Sequence, residues 1–180
     1  STNPEVTKQG NYIFRVCFID PFQGTVMAKF SVDNLKAKNV AIMRDVKSDY
    51  SMGLAQYFKE TLTKMGGTVV SDQTYSNGDI DFKAQLTTIK GTKPEAIFIP
   101  GYYTDVGLIA RQARGLGIKV PLLGGDGWDS SKLFEIGGEA IVGNYFSNHY
   151  TTDRKDQTAR TFIVKYKKEF KGERPDVLAA

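Results

Sequence analysis

The stretch PLLGGDGWDSS, Pro121 to Ser131, holds one carboxylate between glycines, Asp126, with Trp128 two residues on. A carboxylate so placed can ligate a metal, sit beside a phosphate, cap a helix or pair with a ligand's positive charge. Calcium or magnesium needs several oxygen ligands, and GGDGWD lacks the alternating Asp/Asn spacing that supplies them. A phosphate loop fits poorly. Neither G-x-x-x-x-G-K-[ST] nor a G-x-G-x-x-G after the first strand is present, and the carboxylate itself repels a phosphate. Capping falls to Asp129 and Ser130, which immediately precede the next helical pattern. Asp126 is left as an anion for a ligand's cation.

Other residues whose types can do chemistry narrow the field. Cys17 is the only cysteine, so an internal disulfide and a cysteine metal cluster are both excluded. It lies in the apolar run YIFRVCFI and reads as a buried, inert thiol. His149 is the only histidine, has no H-E-x-x-H context, and reads as a polar residue at a strand end. A receiver-type phosphoacceptor at Asp45 needs a late strand-end lysine, which YFSNHY does not supply. Paired carboxylates and a nucleophile–base pair are also missing, so an enzyme is not expected, and no cofactor is implied.

The elements that must position these residues follow from periodicity. Strands are expected at 12–19, 39–45, 68–75, 95–101, 120–125 and 143–150. Helices are expected at 23–35, 50–66, 80–90, 105–117, 130–138 and 159–170, with Gly66-Gly67 and Gly117 as C-caps. Strands alternating with helices predict an α/β fold, an open, mostly parallel sheet with helices on both faces. In such sheets ligands bind beyond the carboxyl ends of the strands. Three of these edges carry polar or aromatic groups: Asp45, Ser48, Asp49 and Tyr50; then Tyr102, Tyr103, Thr104 and Asp105; then Asp126, Trp128, Asp129 and Ser130. Asp49 is also a candidate cap for the helix that starts near Tyr50. Aromatic faces and a desolvated carboxylate together suit an ammonium group.

The bulk numbers agree with a globular chain. It has 180 residues, 41% hydrophobic and 24% charged, with a net charge of +4. The positive residues are dispersed except in KYKKEFKGER (Lys165 to Arg174), without the aromatic-interleaved stripe of a nucleic-acid surface. No apolar run approaches the roughly 18 residues of a membrane span. The abrupt ends, STNPEV and a helical PDVLAA, read like an excised piece, so the missing signal peptide says nothing of compartment. The polar link TTDRKDQT separates the α/β unit from a last helix with its own stripe, Phe162, Ile163, Tyr166 and Phe170. Either this core or a second lobe would cover that stripe.

FRVCFIDPFQGTVMAKF, DYSMGLAQYF, GDIDFKAQLTTIK, FIPGYYTDVGLIARQARGLG, PLLGGDGWDS and IGGEAIVGNYFSNHY resemble, in order and spacing, the type I substrate-binding proteins of ABC transporters for branched-chain and related amino acids. The resemblance covers nearly the whole chain. It implies two α/β lobes joined by crossing segments that close over an amino acid, with flavodoxin-like strand order. It further implies that residues 1–15 are a remnant of the first lobe and a hinge crossing, 16–147 the second lobe, and 148–180 a crossing and a helix returning to the first lobe. Carried over by position, Asp126 takes the ligand's α-ammonium, and Tyr50 and Tyr102 line the cleft. Trp128 is a nearby wall residue, and Thr2 reads the ammonium or the carboxylate. The implied partners are an amino acid and a membrane permease, in the periplasm or at the cell surface. A ligand-sensing regulatory domain on the same fold is the alternative. The exposed cleft edge and the last helix's stripe also predict self-association of this chain.

Overall fold

The computed structural model describes residues 2–175. The chain divides into two compact units, Ser1–Ser147 and Asn148–Ala180.

The first unit is built on five parallel strands: β1 (Asn39–Asp45), β2 (Thr68–Tyr75), β3 (Ala96–Phe98), β4 (Leu122–Gly124) and β5 (Tyr145–Phe146). Their order is β2-β1-β3-β4-β5, the flavodoxin-like order expected. β1 lies inside the sheet and is buried along nearly all its length, which is why NVAIMRD reads as a continuous apolar run rather than an alternating one. Its side chains still divide by face. Val40 and Ile42 join one core with Leu54, Phe58, Leu62 and Phe98. Ala41 and Met43 join the other with Phe82, Leu86, Ile97 and Ile109.

Helices cover both faces, as the alternating pattern requires. α1 (Asp20–Lys29), extended by a π-helical turn over Phe30–Asn34, and α2 (Asp49–Lys64) supply the first core. α3 (Lys83–Gly91), α4 (Tyr103–Gly115) and α5 (Ser131–Gly137) pack on the other face. α2 buries Tyr50, Leu54, Phe58 and Leu62, a four-residue repeat along one stripe. Phe58 stacks on Phe98 of β3 with centroids 4.0 Å apart. Gly66 and Gly117 adopt φ of +75° and +78° just past α2 and α4, the left-handed geometry that ends helices. The cap of α2 is Ser48, whose side chain accepts from the Ser51 N–H at 3.2 Å. Asp49 is instead the first helical residue. Ser130 caps α5, accepting from Lys132 N–H, while Asp129 closes the preceding turn.

The expected strand at 12–19 is not formed. This segment is irregular, and Tyr12, Phe14 and Val16 are 90%, 83% and 104% exposed. Cys17 is exposed as well, which corrects the buried-thiol reading. An apolar run becomes a strand only where a neighbouring strand takes its backbone N–H and C=O groups. Among the described residues none lies beside this one. With that segment irregular, the next helix starts three residues earlier than expected, at Asp20 with Pro21 in its first turn.

In the second unit, α6 (Gln157–Glu169) is capped by Asp156, which accepts from Ala159 N–H at 3.0 Å. Phe162, Tyr166 and Phe170 form a ladder on one face, Tyr166 and Phe170 stacked at 4.3 Å, and Tyr150 meets Phe162 edge-on. Residues 176–180 of the expected terminal helical stretch lie outside the described residues.

Candidate functional site

Three strand ends deliver the expected residues to one place. β1 runs through Ser48 into the first turn of α2, which carries Tyr50. β3 leads to Tyr102 at the N-cap of α4. β4 leads to Asp126, first residue of a 3₁₀ turn, Asp126–Trp128. The Tyr50 and Tyr102 rings lie 5.2 Å apart at 32°. The Tyr50 hydroxyl donates to Asp126 Oδ1 at 2.9 Å and accepts the Gly127 N–H at 3.1 Å. Tyr50 is buried, Asp126 half-buried and Tyr102 exposed.

The glycines around Asp126 provide space. A Cβ on Gly125 would stand 2.5 Å from the Tyr50 hydroxyl and 2.8 Å from Gln23 Oε1. One on Gly127 would stand 2.8 Å from the Gly101 carbonyl oxygen and press on both tyrosine rings. Glycine on either side lets the Asp126 backbone settle between Tyr50, Tyr102 and Gln23.

Gln23 was not expected here. It is fully buried on α1, donates from Nε2 to Asp126 Oδ1 at 2.8 Å, and accepts the Asp126 N–H at 3.0 Å. Its Oε1 also accepts the Ser147 hydroxyl at 2.7 Å. Asp20 lies one turn earlier on the same face of α1 and is also fully buried. Among the described residues, neither of its carboxyl oxygens reaches hydrogen-bond geometry with a partner. A sequence signal for both existed, since the spacing of Asp20 and Gln23 places them on one helical face. The strand expected at 12–19 concealed it by starting the helix too late.

Thr2 is buried. Its carbonyl accepts the Asp20 N–H at 3.0 Å and Arg15 Nη1 at 3.2 Å. Arg15 also reaches the Asn3 carbonyl and the Thr7 hydroxyl. Thr2 is thus tied to the start of α1, beside Asp20.

Trp128, expected as a wall, is placed in the core instead. It is 1% exposed, its Nε1–H donates to the Ile99 carbonyl at 3.0 Å, and its ring lies 6.1 Å from that of Phe146. The 3₁₀ turn sends Asp126 up and Trp128 down, so spacing of two residues does not keep them on one side.

Electrostatics fix the donors. Burial, then the charge of Asp126, pushes the Tyr50 hydroxyl well above its ordinary value, and Tyr102 is raised by the same causes. Both remain protonated donors at neutral pH. Burial, and secondarily the charge of Asp126, also raises the Asp20 carboxyl, against the lowering effects of Thr2 and Arg15. Folded Asp20 therefore holds its proton more tightly than unfolded Asp20, and stability is gained as pH falls through the folded value. Between neutrality and the ordinary carboxylate value of 3.8, wild-type stability should climb relative to an Asp20→Asn variant as the solution is acidified. Denaturant titrations across that range check this, and parallel pH curves for the two proteins would contradict it.

The chain is an α/β protein whose parallel sheet carries Asp126, Tyr50 and Tyr102 at its carboxyl edge. A family model described as periplasmic binding protein matches residues 1–180. A Leu/Ile/Val-binding protein of Rhizobium johnstonii is 39% identical over 149 residues, 82% of this chain and 40% of that protein. The crystal structure of a leucine-binding protein from Thermotoga maritima superposes with a TM-score of 0.92 at 44% identity, over 99% of this chain and 51% of that one. A branched-chain amino acid transporter substrate-binding protein of Streptococcus pneumoniae, solved with isoleucine, gives a TM-score of 0.88 at 35% identity, over 99% of this chain and 51% of that one. The chain belongs to the periplasmic binding protein family, and its fold is that of the type I members. It spans about half the length of the relatives it matches.

Proposed function

We propose that this chain is the greater part of one lobe of a two-lobed, non-catalytic receptor that delivers an amino acid, branched-chain or related, to the permease of an ABC importer. In this reading residues 1–15 and 148–180 belong to crossings and to the partner lobe, and 16–147 form the second lobe. The receptor works in the periplasm or at the cell surface. Asp126 takes the ligand's α-ammonium, Tyr50 and Tyr102 border it, and Thr2 contributes from the lobe-crossing segment. Ligand held between the lobes favours the closed form, which the permease recognises.

The observation that carries the reading is the Asp126 carboxylate, held by Tyr50 and Gln23 at the carboxyl edge of the sheet, where the Tyr50 ring pairs with that of Tyr102. The names of the relatives, binding proteins for leucine, isoleucine and valine, support the ligand class. A thermal-shift screen of the twenty amino acids on the two-lobed protein tests it. Stabilisation by leucine, isoleucine or valine is the expected result. No shift with any amino acid would refute the reading.

A further inference from the structure

Gln23 uses its whole side-chain amide within the site. Backbone N–H groups can only donate, so the atom that receives the Asp126 N–H must be the amide oxygen. That places Nε2 against Asp126 Oδ1 and leaves the Ser147 hydroxyl as the donor to Oε1. The assignment is therefore forced. No surface water reaches the group, because Gln23 is completely buried. The three residues it joins come from distant parts of the chain: Gln23 stands 103 positions from Asp126 and 124 from Ser147. Ser147 is the last residue of the first compact unit, and its own N–H donates back to Gly124 at the end of β4.

We infer that Gln23 is the positioning residue of this site. It orients the Asp126 carboxylate for a cationic ligand group and couples that carboxylate to Ser147, where the chain leaves the first unit. The inference rests on the amino-acid reading for its ligand and deepens it by naming how the carboxylate is held. An amide is planar and rigid, so Nε2 and Oε1 move together. Drawing Asp126 toward a ligand shifts the oxygen that Ser147 grips, or breaks one of the bonds. A glutamine serving only to fill space would show neither dependence.

The two parts of the claim are read separately. In the 180-residue chain, Asp126→Asn is followed by NMR at the Ser147 and Asn148 backbone amides, once with Gln23 present and once in a Gln23→Met background of similar volume. The expected result is a shift at both amides that falls by at least about half when Gln23 is gone, since the coupled pair no longer shares a partner. Equal shifts in both backgrounds overturn the coupling, and this arm needs no ligand. In the two-lobed protein, Gln23→Glu retains the oxygen that receives the Asp126 N–H and the Ser147 hydroxyl, and replaces only the donor. The new carboxyl would face Asp126, with Tyr50, Tyr102 and Asp20 among the titratable groups around it. Isoleucine affinity should fall about tenfold or more near pH 8 and return to within about threefold of wild type near pH 5, where a proton shared by the two carboxyls restores the donor. A variant that matches wild type at both pH values, or a deficit that does not change with pH, overturns the positioning role. Absence of isoleucine binding by the wild-type protein counts against the ligand reading, and the NMR arm then decides the claim for Gln23 by itself.

Discussion

Replacing Asp126 by alanine is expected to weaken amino-acid binding to the two-lobed protein by about 2–3 kcal/mol, roughly thirtyfold or more, with the fold intact. Removing one member of a hydrogen-bonded charge pair costs about 2–5 kcal/mol when the site is fully desolvated. Asp126 is half-buried, so the effect belongs at the low end of that range. The substitution also strands two donors, Gln23 Nε2 and the Tyr50 hydroxyl, which both converge on Oδ1. Asp126→Asn, which keeps an acceptor oxygen but removes the charge, separates the two effects. If charge is what the ligand reads, the asparagine variant loses nearly as much affinity as alanine while recovering stability. Isothermal calorimetry for affinity and denaturant unfolding for stability make the comparison.

The second large effect lies beneath the site. Trp128→Ala should destabilise the first unit by about 3–5 kcal/mol, the usual cost of deleting a large buried aromatic. The indole is 1% exposed and packs so closely on β4 that a Cβ at Gly124 would stand 2.1 Å from its Cε2. Its loss opens a cavity that the strand cannot collapse into, and leaves the Ile99 carbonyl without the Nε1–H donor at 3.0 Å. Trp128→Phe refills much of the volume but not the hydrogen bond, and should cost about 1–3 kcal/mol, the range for a buried acceptor left unsatisfied. Urea unfolding followed by far-ultraviolet circular dichroism distinguishes these cases. A loss below about 1 kcal/mol for the alanine variant would return Trp128 to the wall position that the family resemblance implied.

That contrast marks what was legible in the sequence. β1, α2, β2 and α4 could be read because each carries its own periodicity: the branched run of β1, and the buried repeat Tyr50, Leu54, Phe58, Leu62 in α2. The convergence of Tyr50, Tyr102 and Asp126 followed from a topological rule about where parallel strands end, and it required no knowledge of side-chain direction. Trp128 did require it. A single 3₁₀ turn decides which way residues two apart will face, and no pattern in GGDGWD records that choice. The run at 12–19 has every local property of a strand, yet a strand is a relation between two segments. Its exposed Tyr12, Phe14 and Val16 show an apolar pattern without a neighbouring ladder. Asp20 was hidden for the same reason, because a misplaced strand displaced the first turn of α1 and left Gln23 as the first residue of the expected helix, without Asp20 on its face. Their long-range bonds, such as that from Gln23 to Asp126, are products of packing α1 against the sheet edge and leave no local mark.

The central claim is that Asp126 reads a ligand's ammonium group. Its most direct test compares isoleucine with the corresponding 2-hydroxy acid, which replaces the ammonium by a hydroxyl, in calorimetric titrations of wild-type and Asp126→Ala two-lobed protein. Wild type should prefer the amino acid by about a hundredfold or more, because a site whose carboxylate is held for a cation rejects the analogue that offers only a hydroxyl. The alanine variant should lose most of that preference while binding both compounds weakly. An undiminished preference in the variant would show that the ammonium is recognised elsewhere and would contradict the account.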